Sequence, residues 1–488
     1  MFAKFVFPLF CIITLHIHIG NKYVTMAVLI LSNLLNYMDR FTVAGVLTDL
    51  QKYFAMNNSQ SGLLQTIFIV FYMVFAPLCG FLGDRYNRKL IMSVGLFVWI
   101  AAVAASTFVG RDHYYIFLLC RGLVGVGEAS YSTIAPTIIA DIFTGRARST
   151  WLTVFYLMIP VGSGLGFALG ANVATLANNQ WQWGVRVTPI LGVIVLLMVI
   201  FFMENPERGA AEHAKHEVTS LKEDLLYLFY HKTFICTTLG LTSVIFATGA
   251  LSWWTPTLFE YAIKADFGKV SDEEKITIAL TFGAITAVAG IVGVVLGTTL
   301  AGLWREGKLF CKASRRSHAY ICAIGAIGGM PFLFATLMLC RIEVVRWVMI
   351  FFAVTFMCFN WAANMDILLM VIVANRRALA NSIQTLISHA LGDAASPYLV
   401  GMIADATNRN STGEPDVENF VSLRNALFLP NALLVLGIGG YLAASFFVEG
   451  DSHEVEEHRV DVGEEDETRA IMSDAEEIYG AISNDAHM

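Results

Sequence analysis

The chain has 488 residues, of which 56% are hydrophobic and only 15% charged, with a net charge of −7. A soluble domain carries roughly 25% charged residues, so a soluble enzyme with polar-surfaced domains is excluded in favour of a chain solvated by lipid. Acids collect in the segment 449–488, bases sit in short loops with no interleaved aromatics, and the eight cysteines show no paired spacing. These patterns argue against a nucleic-acid partner, a disulfide framework and a metal site.

Residues 1–22 form an N-terminal extension. Lys4 and the apolar run Phe5 to Leu15 suggest a signal peptide, but Pro8 interrupts the run and His16 and His18 follow it. The run is too short to span, so it is read as a non-spanning extension with a signal as the alternative. Apolar runs of about 20 residues then predict twelve membrane-spanning helices. The first six, at 24–47, 60–82, 90–109, 113–137, 150–174 and 186–203, make an N-terminal bundle over 23–203. A polar central loop covers 204–231. Six more spans, at 233–260, 276–303, 318–340, 346–373, 378–404 and 425–448, make a second bundle over 232–448. The acidic tail, 449–488, is poor in apolar residues and predicted to be disordered. The expected fold is an all-α membrane protein of two pseudo-symmetric six-helix bundles.

Arg85, Arg88 and Lys89 follow span two, Arg146 and Arg148 follow span four, and Arg305 to Arg316 and Arg376–Arg377 follow spans eight and ten. The opposite loops carry fewer bases, so both termini are placed in the cytoplasm. Asn-x-Ser/Thr sequons begin at Asn57 and Asn410, both in loops expected to face outward or into a lumen; Asn410 has room for a glycan and Asn57 lies close to the bilayer. In the tail, Tyr479 and Ile482 fit a short Y-x-x-apolar sorting signal, which would engage sorting adaptors.

Ionisable groups inside apolar spans are costly and each needs a reason. Span one contains Asp39 and Arg40, with Asp39 about 24 Å from the inner end of its helix. Neighbours diverge by about 100° around a helix, so the two do not simply pair. Either they belong to a structural ion-pair network, or Arg40 holds an anionic substrate head while Asp39 takes up a proton or tunes Arg40. Arg121, Gly125 and Glu128 on span four share one face. Glu128 is either a static salt-bridge partner or a carboxylate switched by substrate arriving at Arg40, and Arg121 is structural or gating. Span ten carries Asp366. His389 and Asp393 on span eleven share a face near the midplane, where a histidine suits proton coupling or simple hydrogen bonding.

Gly162, Gly166 and Gly170 repeat every four residues on span five, near Pro160, and give a smooth packing face. Between spans two and three lies Gly80-Phe-Leu-Gly83-Asp84-Arg85-Tyr-Asn87-Arg88-Lys89. Asp84 there can oppose a neighbouring helix N-terminus. This loop resembles the major facilitator signature G-x-x-x-D-R-x-G-R-[KR], with Asn87 in place of glycine and able to adopt left-handed backbone angles.

The segments Leu34–Val46, Arg121–Asp141, Ile159–Gly166 and Ser388–Gly401 (SHALGDAASPYLVG) closely resemble the animal spinster family, from about Ala27 to Phe447. The resemblance implies a major facilitator fold and export of lysophospholipids from lysosomes, or of sphingosine-1-phosphate and related sphingolipids from cells. It implies that Asp39, Arg40 and Glu128 form the head-group and coupling site, that Arg121 is needed for transport and that His389 lines the cavity. It calls for no cofactor beyond a proton gradient. A lysosomal or late endosomal membrane is expected, with the plasma membrane as alternative, and a monomer. Two other readings stay open: a carrier of a small organic anion or sugar, and a non-transporting receptor or regulator. An enzyme is not expected, because no activated nucleophile or phosphate-cradling loop sits at a membrane face.

Overall fold

A computed structural model describes residues 22–143, 145–206, 221–308, 312–373, 376–408 and 414–485, and every regular element among them is helical. Nine helices among the described residues are long and apolar enough to cross a membrane. They include span two (Asn58–Arg85), span three (Arg88–Ser106), span five (Gly145–Leu176), span six (Trp181–Phe202), span seven (Lys232–Phe267) and span eight (Asp272–Arg305). Span nine is Ser317–Met338, span ten is Glu343–Cys358 continued by Asn360–Val371, and span twelve lies within Phe428–Asp485. The other predicted spans are helical too. Span one is Lys22–Gly45, span four is Tyr114–Ile142, and span eleven is Arg377–Ser388, a π-turn His389–Asp393, and Ala395–Asn408. These three fall short of the apolarity of the rest because they carry the intramembrane charges: Asp39 and Arg40, Arg121 and Glu128, His389 and Asp393.

Lipid tails are as apolar as leucine, so helices here associate by close approach rather than by leaving water. A Cβ on Gly162, Gly166 or Gly170 would stand 2.6, 2.3 or 2.6 Å from the main-chain oxygens of Leu34, Met38 and Thr42. This stripe seats span one against span five and fixes the rotation of Asp39 and Arg40. On another face of span five, a Cβ on Gly164 would stand 2.4 Å from the main-chain oxygen of Gly283 on span eight, so this glycine lets the two halves join closely. A second joint runs between spans two and eleven, where a Cβ on Gly62 would stand 2.2 Å from the Pro397 oxygen and one on Gly401 2.3 Å from the Asn58 oxygen.

Three local expectations are corrected. Asn87 does not adopt a left-handed angle: its φ is −61° and its side chain caps span three by accepting from the Leu90 N–H at 3.2 Å. The polar linker is not featureless, since Leu221–Tyr230 is a helix that buries Leu228 and ties Asp224 to Arg376 at 2.7 Å. The last span does not stop at 448 but continues as helix, because its next turns have partners. Glu449 accepts from Arg316 at 2.8 Å, Asp451 accepts from the Thr233 hydroxyl, and Glu456 accepts from Arg315 at 2.9 Å. Charge counts do not reveal partners of this kind, which come from the starts of spans seven and nine.

The bundle therefore has two ends. The linker side carries the central linker, the turn at 86–87 and the helix beyond 448; the far side carries the connections near 46–58, 107–113, 177–180 and 268–271.

The glycine stripe makes a sharp contrast testable. Gly166→Leu should strongly reduce the melting temperature of purified protein in detergent, because its Cβ meets a main-chain atom that cannot give way. Gly80→Ala, with nothing within 4 Å of the added Cβ, should leave it equal or higher by the helix-propensity gain of about 1 kcal/mol. Equal effects would refute the close-approach argument.

Candidate functional site

Asp39 and Arg40 point to different partners, as adjacent helical residues must. Asp39 is buried within the first half, at 1% exposure. Its carboxylate accepts from the Thr188 hydroxyl at 2.5 Å and from the Trp99 indole N–H at 3.2 Å, and lies 3.7 Å from Arg121 Nη1. Three spans (three, four and six) thus converge on one carboxylate.

Arg40 instead crosses to the second half. Its Nη2 donates to Asp393 Oδ2 at 2.9 Å. With its amide carbonyl turned toward the guanidinium, Gln65 accepts from Nε at 3.0 Å and Nη2 at 3.1 Å. Asp393 shares its other oxygen with His389 Nδ1 at 2.9 Å. Both residues bound the π-turn, where the Ala394 N–H donates to the His389 carbonyl at 3.0 Å. A π-turn inserts one residue into a helix and is common at functional sites, since it widens the backbone and re-aims side chains.

Glu128, 4% exposed, accepts from Asn36 Nδ2 at 2.7 Å. Asn36 lies one turn before Arg40, so the carboxylate is held beside the arginine by span one itself. Arg121 is more unusual. At 1% exposure its guanidinium makes no hydrogen bond among the described residues, and is held by the Asp39 charge and by the Phe68 ring 5.6 Å away. The same ring lies 5.3 Å from the Arg40 guanidinium, so Phe68 separates two cations while attracting both. Gly125 makes this approach feasible, its Cβ position being 2.2 Å from the Phe68 main-chain oxygen.

The structure thus gathers Asp39, Arg40, Arg121, Glu128, His389 and Asp393 around the middle of the bundle. Asp366 is placed elsewhere: its partner is His318 Nε2 at 3.6 Å, at the linker-side start of span nine. In the signature loop, Arg88 bonds Asp141 at the end of span four, Arg85 lies over the Phe81 ring at 4.0 Å, and Gly83 faces Ile134. Gly80 has open space, and the Asp84 side chain lies outside the described residues. Asn57 is exposed on the far side, where its amide oxygen caps span two by accepting from the Gln60 N–H at 2.8 Å. Asn410 and the side chains of Tyr479 and Ile482 lie outside the described residues.

Sequence reasoning missed a second polar system, on the far side between the halves. Asp405 caps the start of span two from across the interface, accepting from the Asn58 N–H at 3.0 Å, the Ser59 N–H at 2.7 Å and the Ser59 hydroxyl. Glu260 accepts from the Thr48 hydroxyl at 2.8 Å, Tyr261 donates to Gln51 at 2.9 Å, and Lys275 pairs with Asp49 at 2.8 Å. Asp405 lies one residue beyond the predicted eleventh span and Glu260 ends the seventh, so both read as loop-edge charges. Thr188, Trp99 and Asn36 gave no signal, because nothing in a sequence marks a neutral residue as the partner of a distant charge.

Comparison with known proteins agrees with this architecture. Residues 29–397 match the model of the Major Facilitator Superfamily. Protein spinster homolog 3 of Danio rerio is 43% identical, over 88% of this chain and 86% of its own length. Protein spinster homolog 1 of Homo sapiens is 42% identical, over 90% and 83%. A Danio rerio protein named sphingosine-1-phosphate transporter SPNS2 is 40% identical, over 88% and 85%. Among solved structures, a bacterial homolog to the human lysosomal transporter spinster, crystallised inward-facing and unoccupied, shares the fold with a TM-score of 0.72 at 20% identity, covering 88% of this chain and 98% of that one. A multi-pass membrane transporter rather than an enzyme follows from this fold and these relatives, and the chain belongs to the spinster family.

Proposed function

We propose that the protein moves a lysophospholipid, or a sphingolipid such as sphingosine-1-phosphate, across a membrane by alternating access, with a proton as the coupled ion. The observation that carries this reading is the Arg40–Asp393 pair. It joins the two halves at 2.9 Å in mid-bundle, and both side chains retain 12% exposure. An anionic head group that takes the guanidinium from Asp393 breaks a link between the halves at the moment it binds. Binding and rearrangement then share one contact, as alternating access requires. The released Asp393 keeps His389 as partner, so it is not stranded.

Glu128 and Asp39 supply the protonation sites in this reading. Glu128 is held by a neutral amide beside Arg40, and a phosphate arriving at Arg40 raises the cost of a second negative charge nearby. Proton uptake at Glu128 offsets that cost. Asp39 sits one layer away, held by Thr188 and Trp99 and facing Arg121. Acyl tails fit the apolar walls between helices. The far-side bonds from Asp405, Glu260 and Lys275 hold that end shut, which suits a state open toward the linker side. Following the loop charges, the linker side is placed in the cytoplasm. A lysosomal or late endosomal membrane, with tail-bound sorting adaptors, is the compartment that fits the Tyr479–Ile482 segment.

Two measurements test the reading. In liposomes, labelled lysophosphatidylcholine or sphingosine-1-phosphate should show saturable flux driven by a pH gradient. Arg40→Ala should lose about a hundredfold, the value of a charge-assisted contact worth roughly 3 kcal/mol. Glu128→Gln should keep flux but lose its response to the gradient. Absence of lipid flux from folded protein would sink the substrate assignment and turn attention to small organic anions.

Asp405→Ala should release the far side. A cysteine introduced at Thr48 should then react faster with a membrane-impermeant thiol reagent than in the Asp405 parent. An unchanged rate would show that the cap does not hold the two halves together.

A further inference from the structure

The far-side polar system encloses a cavity that the mechanism above leaves unused. Its volume is about 580 Å³, and residues of both halves line it. That size falls within the range of small-molecule sites, roughly 300–1,000 Å³. The lining is amphoteric. Lys264 and Lys275 are committed to Asp416 and Asp49. Lys52 and Lys269 also line the cavity; among the described residues neither ammonium makes a hydrogen bond or salt bridge, and Lys52 lies close enough to Glu260 to act on its carboxylate by charge. Lys52 comes from the first half and Lys269 from the second, so two exposed cations face one concave space across the interface. Concave walls focus such a potential.

Two acids stand at the same surface: Asp405, committed to the start of span two, and Glu260. Glu260 is 9% exposed, and its Oε2 is bound to the Thr48 hydroxyl while Oε1 takes no hydrogen bond among the described residues. The ring of Tyr261 is its chain neighbour in the lining. A simple anion would meet the lysines but be repelled by Glu260, and a simple cation would meet the reverse. A group bearing both charges satisfies both ends, with phosphate toward Lys52 and Lys269 and ammonium toward Glu260 and the tyrosine face.

We infer that this cavity is a second head-group site, built for a zwitterionic phosphate–ammonium group. The inference rests on the lipid reading of the central site for its role, which is to receive the head group on the far side of the Arg40–Asp393 contact. Occupancy competes with links between halves made by the lining, Glu260–Thr48 and the pair that Lys275 makes with Asp49 beside it. A head group here therefore favours separation of the far ends.

Lysine footprinting of the purified full chain tests it without measuring transport. With sn-glycero-3-phosphocholine at roughly ten times its dissociation constant, acylation of Lys52 and Lys269 should slow about tenfold. Acylation of Lys222, exposed on the linker side, should not change. Glu260→Gln should abolish protection by glycerophosphocholine. Equal labelling of Lys52 and Lys269 with and without the probe would overturn the inference. Equal protection by inorganic phosphate would overturn the zwitterion assignment, and protection by lysophosphatidylcholine alone would show that the acyl chain, not the head group, is held. A wild-type footprint without lipid flux would break the central reading and leave this site standing; flux without a footprint would do the reverse.

Discussion

Arg40 cannot be left alone in the middle of a bilayer, and its partner comes from the other half of the molecule. An ion pair withdrawn from water is costly to form and more costly to break on one side only. Each neighbouring feature answers that constraint. Gln65 takes two of the remaining guanidinium hydrogens, His389 steadies the far carboxylate, and Phe68 offers a ring face. The pair is therefore specific in geometry while gaining little net stability, which is the condition under which a substrate charge can replace one member.

The glycines set the distances on which this depends. Span one could not present Arg40 across the interface if it sat farther from span five, and the Gly162–Gly166–Gly170 stripe brings the two backbones into contact. The same device operates between the halves at Gly164 and Gly283 and at Gly62 and Pro397. Small residues at those joints leave no interlocked side chains to unpick when the halves move. Packing and mobility are served by one choice of residue.

The polar links are unevenly distributed. On the far side a carboxylate caps a helix across the interface, and hydroxyl, amide and lysine contacts surround it. On the linker side Arg88–Asp141 stays within the first half and Arg376–Asp224, Arg316–Glu449 and Arg315–Glu456 stay within the second and its appendages. Among the described residues, these linker-side pairs brace each half internally, while the far-side contacts join one half to the other.

How much of this was legible in the chain follows from the physics of each signal. Hydropathy is local, so twelve spans, the central linker and the charged residues inside the spans could be read directly, and the separation of Asp39 from Arg40 follows from helical rotation alone. The signature loop and the SHALGDAASP segment carried the family. Partner choice is not local. That Arg40 meets Asp393, that neutral Thr188 and Trp99 hold Asp39, and that Asp366 belongs with His318 depend on which helices become neighbours. The helical tail beyond 448 and the far-side cavity have the same origin. Which residues must be buried with a charge is written locally in the chain; with whom is settled by the fold, because helices far apart in the chain compete for the same contact and packing selects between them.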